Sequence, residues 1–164
     1  MSSQVKKILS DSITTKPTGH LEIQVFGVQG GKRLLLRTLD LGNLVVNNFT
    51  IQELIALCGI GLANRVIAYI EFGTNGAAED PGDVAITPPG GGPVTVPVSS
   101  YSYPYENQVR FEGTLDSATG NGETFQECGL KFLNTSPALA ARKTFPNMDK
   151  SDMFEWVIRW TLTL

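Results

Sequence analysis

Histidine is almost missing from this chain: His20 is the only one in 164 residues. That removes histidine-rich metal sites and leaves any Ser-His-Asp or Cys-His arrangement resting on a single residue. Nothing near His20 has the form of a nucleophile elbow. Cysteine is nearly as scarce. Cys58 and Cys128 are too few for a disulfide framework, and they form neither a CxxC pair nor a zinc site, so they read as buried thiols in a reducing compartment. HExxH and calcium-loop patterns do not occur. No metal and no cofactor is therefore expected. Gly90, Gly91 and Gly92 lack the Lys-Ser/Thr that would make them a phosphate loop, and the prolines around them oppose a helix start. No apolar run approaches the roughly 20 residues that span a bilayer, and the first residues lack the apolar core of a secretory signal. The expectation is synthesis in the cytoplasm and no membrane. Charge is also thin: 18% of residues, against about 25% in an average globular protein. The net charge of −3 supplies no basic face, which argues against nucleic acid.

What is present points to turns and strands. Hydrophobic residues make up 41% of the chain, enough for the core of one domain, and 17 glycines with 9 prolines favour many turns. Residues 1–19 are polar, with Val5, Ile8 and Leu9 scattered through them, and read as an extended arm. A single domain is expected over 20–164. Leu21, Ile23 and Val25 alternate with Glu22 and Gln24, the period of a half-buried strand, over 20–28. Gln29-Gly30-Gly31-Lys32 is a hairpin turn. Strands follow at 33–39 and 44–46. The one helix is expected at 50–57, capped by Thr50 with Glu53 three residues on, and burying Ile51, Leu54, Ile55 and Cys58. Residues 65–72 read as a central strand. The segment 73–97, with Asn75-Gly76, Asp80-Pro81-Gly82 and the proline-glycine run at 88–93, reads as a long exposed loop. Strands return at 109–115, at 125–133 with a bulge near Gly129, and at 139–145, ended by Pro146. The last is the cleanest: Phe154, Trp156, Ile158, Trp160, Leu162 and Leu164 share one face over 154–164. The fold class is all-β: a jelly-roll-like β-sandwich with one short helix and an N-terminal extended arm.

Catalytic chemistry finds little footing in this frame. Glu71, Glu112, Asp116 and Glu127 lie on or beside strands. Glu112 and Glu127 would approach each other, as a glycosidase pair must, only if their strands pair across the 119–122 turn. The ordinary place for such carboxylates is a solvated sheet face. Glu127 is the odd one. It stands among apolar residues and calls for a buried partner such as Arg142 or Lys143. Tyr101, Tyr103 and Tyr105 alternate in an extended segment. They form either a stripe for a sugar or protein partner or the packing that fixes a loop to the sheet. No enzyme activity is expected.

The second half carries motifs of a known kind. Ile70-Glu71-Phe72-Gly73-Thr74 resembles an I-x-F-G-T-G opening. Phe125-Gln126-Glu127-Cys128-Gly129-Leu130 resembles an F-x-E-x-G-L strand, and Leu139-Ala140-Ala141-Arg142-Lys143-Thr144-Phe145-Pro146 resembles L-F-A-R-x-x-F-P. Ile158-Arg159-Trp160-Thr161 resembles the closing strand. In this order, over residues 65–164, they resemble a group of small tailed-bacteriophage virion structural proteins. Cys128 stands where a small residue is usual, and Ala140 where an aromatic is usual. The resemblance implies a location in the virion and a capsid cement or decoration protein that stabilises the head by bridging capsid subunits. Its partners would be the major capsid protein or other virion proteins, and it would be a homo-oligomer, a trimer above others. It also covers tail or fibre components that contact host surface glycans. The candidate partner contacts are Lys6, Lys7, Ile8 and Leu9 in the arm, with Tyr101, Tyr103 and Tyr105.

Overall fold

The structure, a computed structural model, describes residues 16–57, 66–133 and 138–164. Among these the chain is mostly strand, with one short helix, as the alternating pattern requires. Nine strands form in chain order: β1 Thr18–Gln29, β2 Lys32–Val45, β3 Ile67–Gly73, β4 Val94–Pro97, β5 Ser100–Ser102, β6 Gln108–Leu115, β7 Thr124–Phe132, β8 Leu139–Asp149 and β9 Phe154–Thr163. The helix α1, Asn47–Leu57, lies between β2 and β3. All strand pairs are antiparallel, in the order β4-β3-β7-β8-β2-β1-β9-β6-β5.

The sheet curls until its ends join. β4 and β5 stand at opposite ends of that order, yet only Val98 and Ser99 separate them in the chain. The Val98 N–H donates to the Ala68 carbonyl of β3 at 2.8 Å, and the Ser99 N–H to the Glu112 carbonyl of β6 at 2.8 Å. One bent strand thus serves both ends. β2 turns the opposite corner: its residues up to Asn43 pair with β1, and Leu44 and Val45 pair with Arg142 and Ala141 of β8. A strand that changes partners at a corner folds one sheet over its own core. Gly113 of β6 sits where the layers come closest. A Cβ there would lie 2.8 Å from Val96 Cγ1 and 3.0 Å from the Pro97 carbonyl.

The core fills the curl. Leu21, Ile23, Ile70, Phe72, Phe125, Leu130, Trp156, Ile158, Trp160 and Leu162 are all buried within it. Phe72, Phe125 and Trp156 meet as three aromatic rings with centroids 5.3, 5.7 and 5.8 Å apart, bringing β3, β7 and β9 together. Such tilted and edge-on pairs are favourable beyond their buried area.

Several elements differ from their sequence reading, each for a local reason. β1 begins at Thr18, so its first two residues belong to the stretch read as arm, because Gly19 pairs with both Asn43 and Leu162. The segments 33–39 and 44–46 are one long strand. Pro146 does not end β8, which runs to Asp149. It falls where the register with β7 shifts, between Glu127↔Thr144 and Phe125↔Met148, so no ladder bond needs its missing N–H. The irregularities expected near Gly129 lie at Phe125/Glu127 and Leu130/Lys131.

The helix starts at Asn47, three residues before the expected Thr50 cap, which places Thr50 inside the helix. Tertiary bonds set this start: the Asn47 N–H donates to the Pro81 carbonyl at 2.9 Å, and Asn48 Nδ2 to the Leu139 carbonyl at 2.9 Å. The buried positions include Asn48, Phe49 and Gln52, with Phe49 stacked on Phe132 at 6.3 Å, while Ile51 faces solvent. Cys58 lies outside the described residues, and Cys128 is buried and free.

Candidate functional site

The densest polar site is built around Arg142. β7 and β8 pair antiparallel with Gly129 opposite Arg142, which puts Glu127 and Arg142 on the face of the sheet turned away from the core. The Arg142 side chain is 3% exposed and that of Glu127 0% exposed, so neither charge is carried by water. Arg142 Nε donates to Glu127 Oε2 at 2.6 Å, and Nη1 to Asp83 Oδ2 at 2.9 Å. The remaining donors reach the carbonyls of Asn75, Ala77 and Ala78 at 3.1–3.3 Å. A guanidinium has five N–H groups, and all five find acceptors. Burial works against its charge, but Glu127 and Asp83 outweigh that and hold its pKa above the ordinary arginine range. The other Glu127 oxygen accepts the Thr87 N–H at 2.8 Å and the Asn75 N–H at 3.2 Å.

These bonds tie the loop after β3 across the sheet. The loop is therefore not simply exposed, as its composition suggested. Ile86 is buried against Val46 and Leu139. Gly73 and Gly129 leave the room: a Cβ at Gly73 would be 2.4 Å from Ile86 Cγ2 and 2.5 Å from the Thr87 carbonyl. Glu79 makes the second tether, accepting the N–H and hydroxyl of Thr144 at 2.8 and 2.9 Å and pairing with Lys143 at 2.9 Å.

The Glu79 tether makes stability depend on pH. Burial alone would raise the Glu79 pKa, but the Thr144 backbone N–H, Lys143 and the Thr144 hydroxyl together lower it from 4.5 to about 2. A carboxylate with a depressed folded pKa contributes stability that is full above its unfolded value and lost as pH falls toward its folded one. The contribution, about 1–2 kcal/mol after allowing for partial solvation, should disappear between pH 4.5 and about 2. Denaturant unfolding of the native chain and Glu79→Gln should differ by a constant amount above pH 5 and converge below pH 3.

Other sequence-singled residues are dispersed. Glu127 does have Arg142 as its buried partner. Glu112 is not near it across the 119–122 turn: β6 pairs with β5 and β9, and β7 with β3 and β8. Glu112 instead accepts Arg159 Nε at 2.7 Å, while Arg159 Nη1 donates to Glu22 at 2.6 Å, a three-strand ion pair across β1, β9 and β6. Glu71 is buried and pairs with Lys131. His20 pairs with Asp40 at 2.8 Å on the adjacent strand. Asp116 serves its own turn, accepting the Ala118 N–H at 3.0 Å. Each of these carboxylates is committed to a structural bond, and none stands with a second carboxylate across an open cleft.

The remaining features are surfaces. Tyr101, Tyr103 and Tyr105 are 67%, 73% and 70% exposed, with Tyr101 and Tyr103 in edge-on contact at 6.0 Å. Lys6, Lys7, Ile8 and Leu9 lie outside the described residues. Sequence reading missed the tip of the β1–β2 hairpin, where Leu34, Leu35 and Leu36 are 67%, 49% and 53% exposed. Three apolar residues in a row are the ordinary mark of a buried strand, so the pattern carried no signal of exposure. No protein-family model matches the chain, and neither a curated protein nor a solved structure matches it.

Proposed function

We propose that this chain is a non-enzymatic structural protein of a tailed-phage particle, a cement or decoration protein that stabilises the head by bridging capsid subunits. The curled sheet would be its jelly-roll-like sandwich. The observation that carries the reading is how the polar residues are used. The side chains shared with the phage motifs, Glu127 and Arg142 above all, are buried and spent on holding a loop to the sheet. The motifs thus preserve a rigid body, while the apolar residues at the surface remain available for contact. A protein of this build acts mechanically: many modest contacts, repeated by symmetry, add up to a strong shell. Its partners are the major capsid protein and further copies of itself, in a trimer. Quantitative mass spectrometry of purified particles tests this directly. Hundreds of copies, near parity with the major capsid protein, are expected; a handful per particle would overturn it.

The exposed tyrosines favour a second reading, a tail or fibre component that contacts host glycans. Rigid, amphipathic tyrosine rings offer stacking area at small entropic cost. Glycan-array binding that Tyr103→Ala abolishes would support this reading, and a bare array would end it.

A further inference from the structure

Two uncovered apolar surfaces lie on different parts of the chain. The first is the hairpin tip, which carries Leu34, Leu35 and Leu36 between Lys32 and Arg37. The second is a cleft of about 680 Å³ where β1 enters and α1 begins. Pro17, Leu44, Val45, Val46, Ile51 and Pro81 supply its apolar lining, and its size is that of a site that buries several side chains. One surface protrudes and the other is hollow.

The charges sort the same way. Arg33, Lys131, Arg142, Lys143 and Arg159 all have carboxylate partners within the chain. Lys32 and Arg37 have no ion-pair partner among the described residues. At the cleft the spare charge is negative. Asp80 is exposed beside Pro81, and Glu53 stands two residues beyond Ile51, likewise without a cation partner among the described residues. Burial raises the Glu53 pKa, as it must for a carboxylate desolvated without compensation. Lys16 is the one cation in the lining.

We infer that the β1–β2 hairpin of one copy seats in this cleft of a second copy, its leucines against Ile51, Leu44 and Pro81 and its Lys32 and Arg37 toward Asp80 and Glu53. The contact is heterologous: each copy offers a hairpin to one neighbour and a cleft to the other. Contacts of that kind build rings when the rotation closes, and a three-membered ring is one such closure. Pairing two hairpins with each other is disfavoured, because Lys32 and Arg37 would face their own kind. The inference deepens the homo-oligomer part of the proposed function. It does not depend on the phage reading, since a failed copy-number measurement would leave it standing.

The test uses the full chain and two surface variants. Leu34→Glu spoils the hairpin and Ile51→Lys spoils the cleft. Both positions are more than half exposed, so unchanged circular dichroism and melting should confirm the fold. Light scattering on a sizing column should show the native chain as a ring at about 100 μM and each variant as a monomer, with affinity lowered on the order of a hundredfold. Mixing the two variants should give a 1:1 heterodimer and nothing larger, because only one intact hairpin and one intact cleft then remain. A native chain that stays monomeric, an oligomer that survives both variants, or a mixture that forms no heterodimer would each overturn the contact.

Discussion

Arg142→Ala should lower the stability of the fold by about 3–5 kcal/mol, the range for removing one member of a buried ion pair. The loss comes mainly from what stays behind. Glu127 keeps its charge with no exposure to water, and the carbonyls of Asn75, Ala77 and Ala78 lose their donors. For a chain of this size the melting temperature should fall by on the order of 10 °C. Release should be local as well as global, so proteolysis should cut first within residues 74–87. A paired replacement separates charge from packing. Glu127→Leu with Arg142→Met leaves no buried charge, and its cost should be well below that of Arg142→Ala alone. Equal losses from the single and the double change would show that the loop is held by packing of Ile86 and not by the guanidinium. This matters for function because the strapped loop covers the outer face of β7 and β8 and makes one side of the molecule rigid.

Legibility in the sequence followed how local each signal was. The strands were visible because alternation is a property of neighbours: Leu21, Ile23 and Val25, and again Trp156, Ile158, Trp160 and Leu162, declare one buried face without help from the rest of the chain. The Gly30-Gly31 turn was visible for the same reason, and both glycines do adopt positive φ, 57° and 75°. Arg142 could be named as a partner of Glu127 because an acid among apolar residues cannot be buried alone. Asp83 could not, since it is 59 residues away and nothing local marks which loop residue crosses the sheet. The helix start was misplaced for a related reason. Thr50 and Glu53 form a good capping pattern, but bonds from Asn47 to Pro81 and from Asn48 to Leu139 outweigh it. The carboxylate pair failed on topology: the turn at 119–122 does not join paired strands, because the chain leaves β6 on one side of the curl and resumes as β7 on the other. The hairpin leucines mislead most simply, since a run of leucines announces burial and gives no hint that the covering partner is a second molecule.

Trp156→Ala should cost about 3–5 kcal/mol, the range for emptying the space of a large aromatic side chain in a core. Trp156 is 1% exposed and meets Phe72 and Phe125 at 5.7 and 5.8 Å. It reaches from β9 to β3 and β7, two strands it does not pair with, so its ring is a main link between the two halves of the curl. A cavity at that point cannot collapse without moving strands fixed by ladders on both sides. Trp156→Phe is the informative companion. The indole Nε1 has no hydrogen-bond partner, so tryptophan bears the cost of a buried donor left unmade. Phenylalanine removes that donor while keeping most of the ring contacts, and the two effects oppose each other. The expected cost is below about 1.5 kcal/mol, far less than for alanine. Denaturant unfolding of the three chains at one pH measures both differences. If phenylalanine proved as costly as alanine, the indole N–H would have to hold a bond, such as one to an enclosed water, and the core would be stapled by polarity as well as by packing.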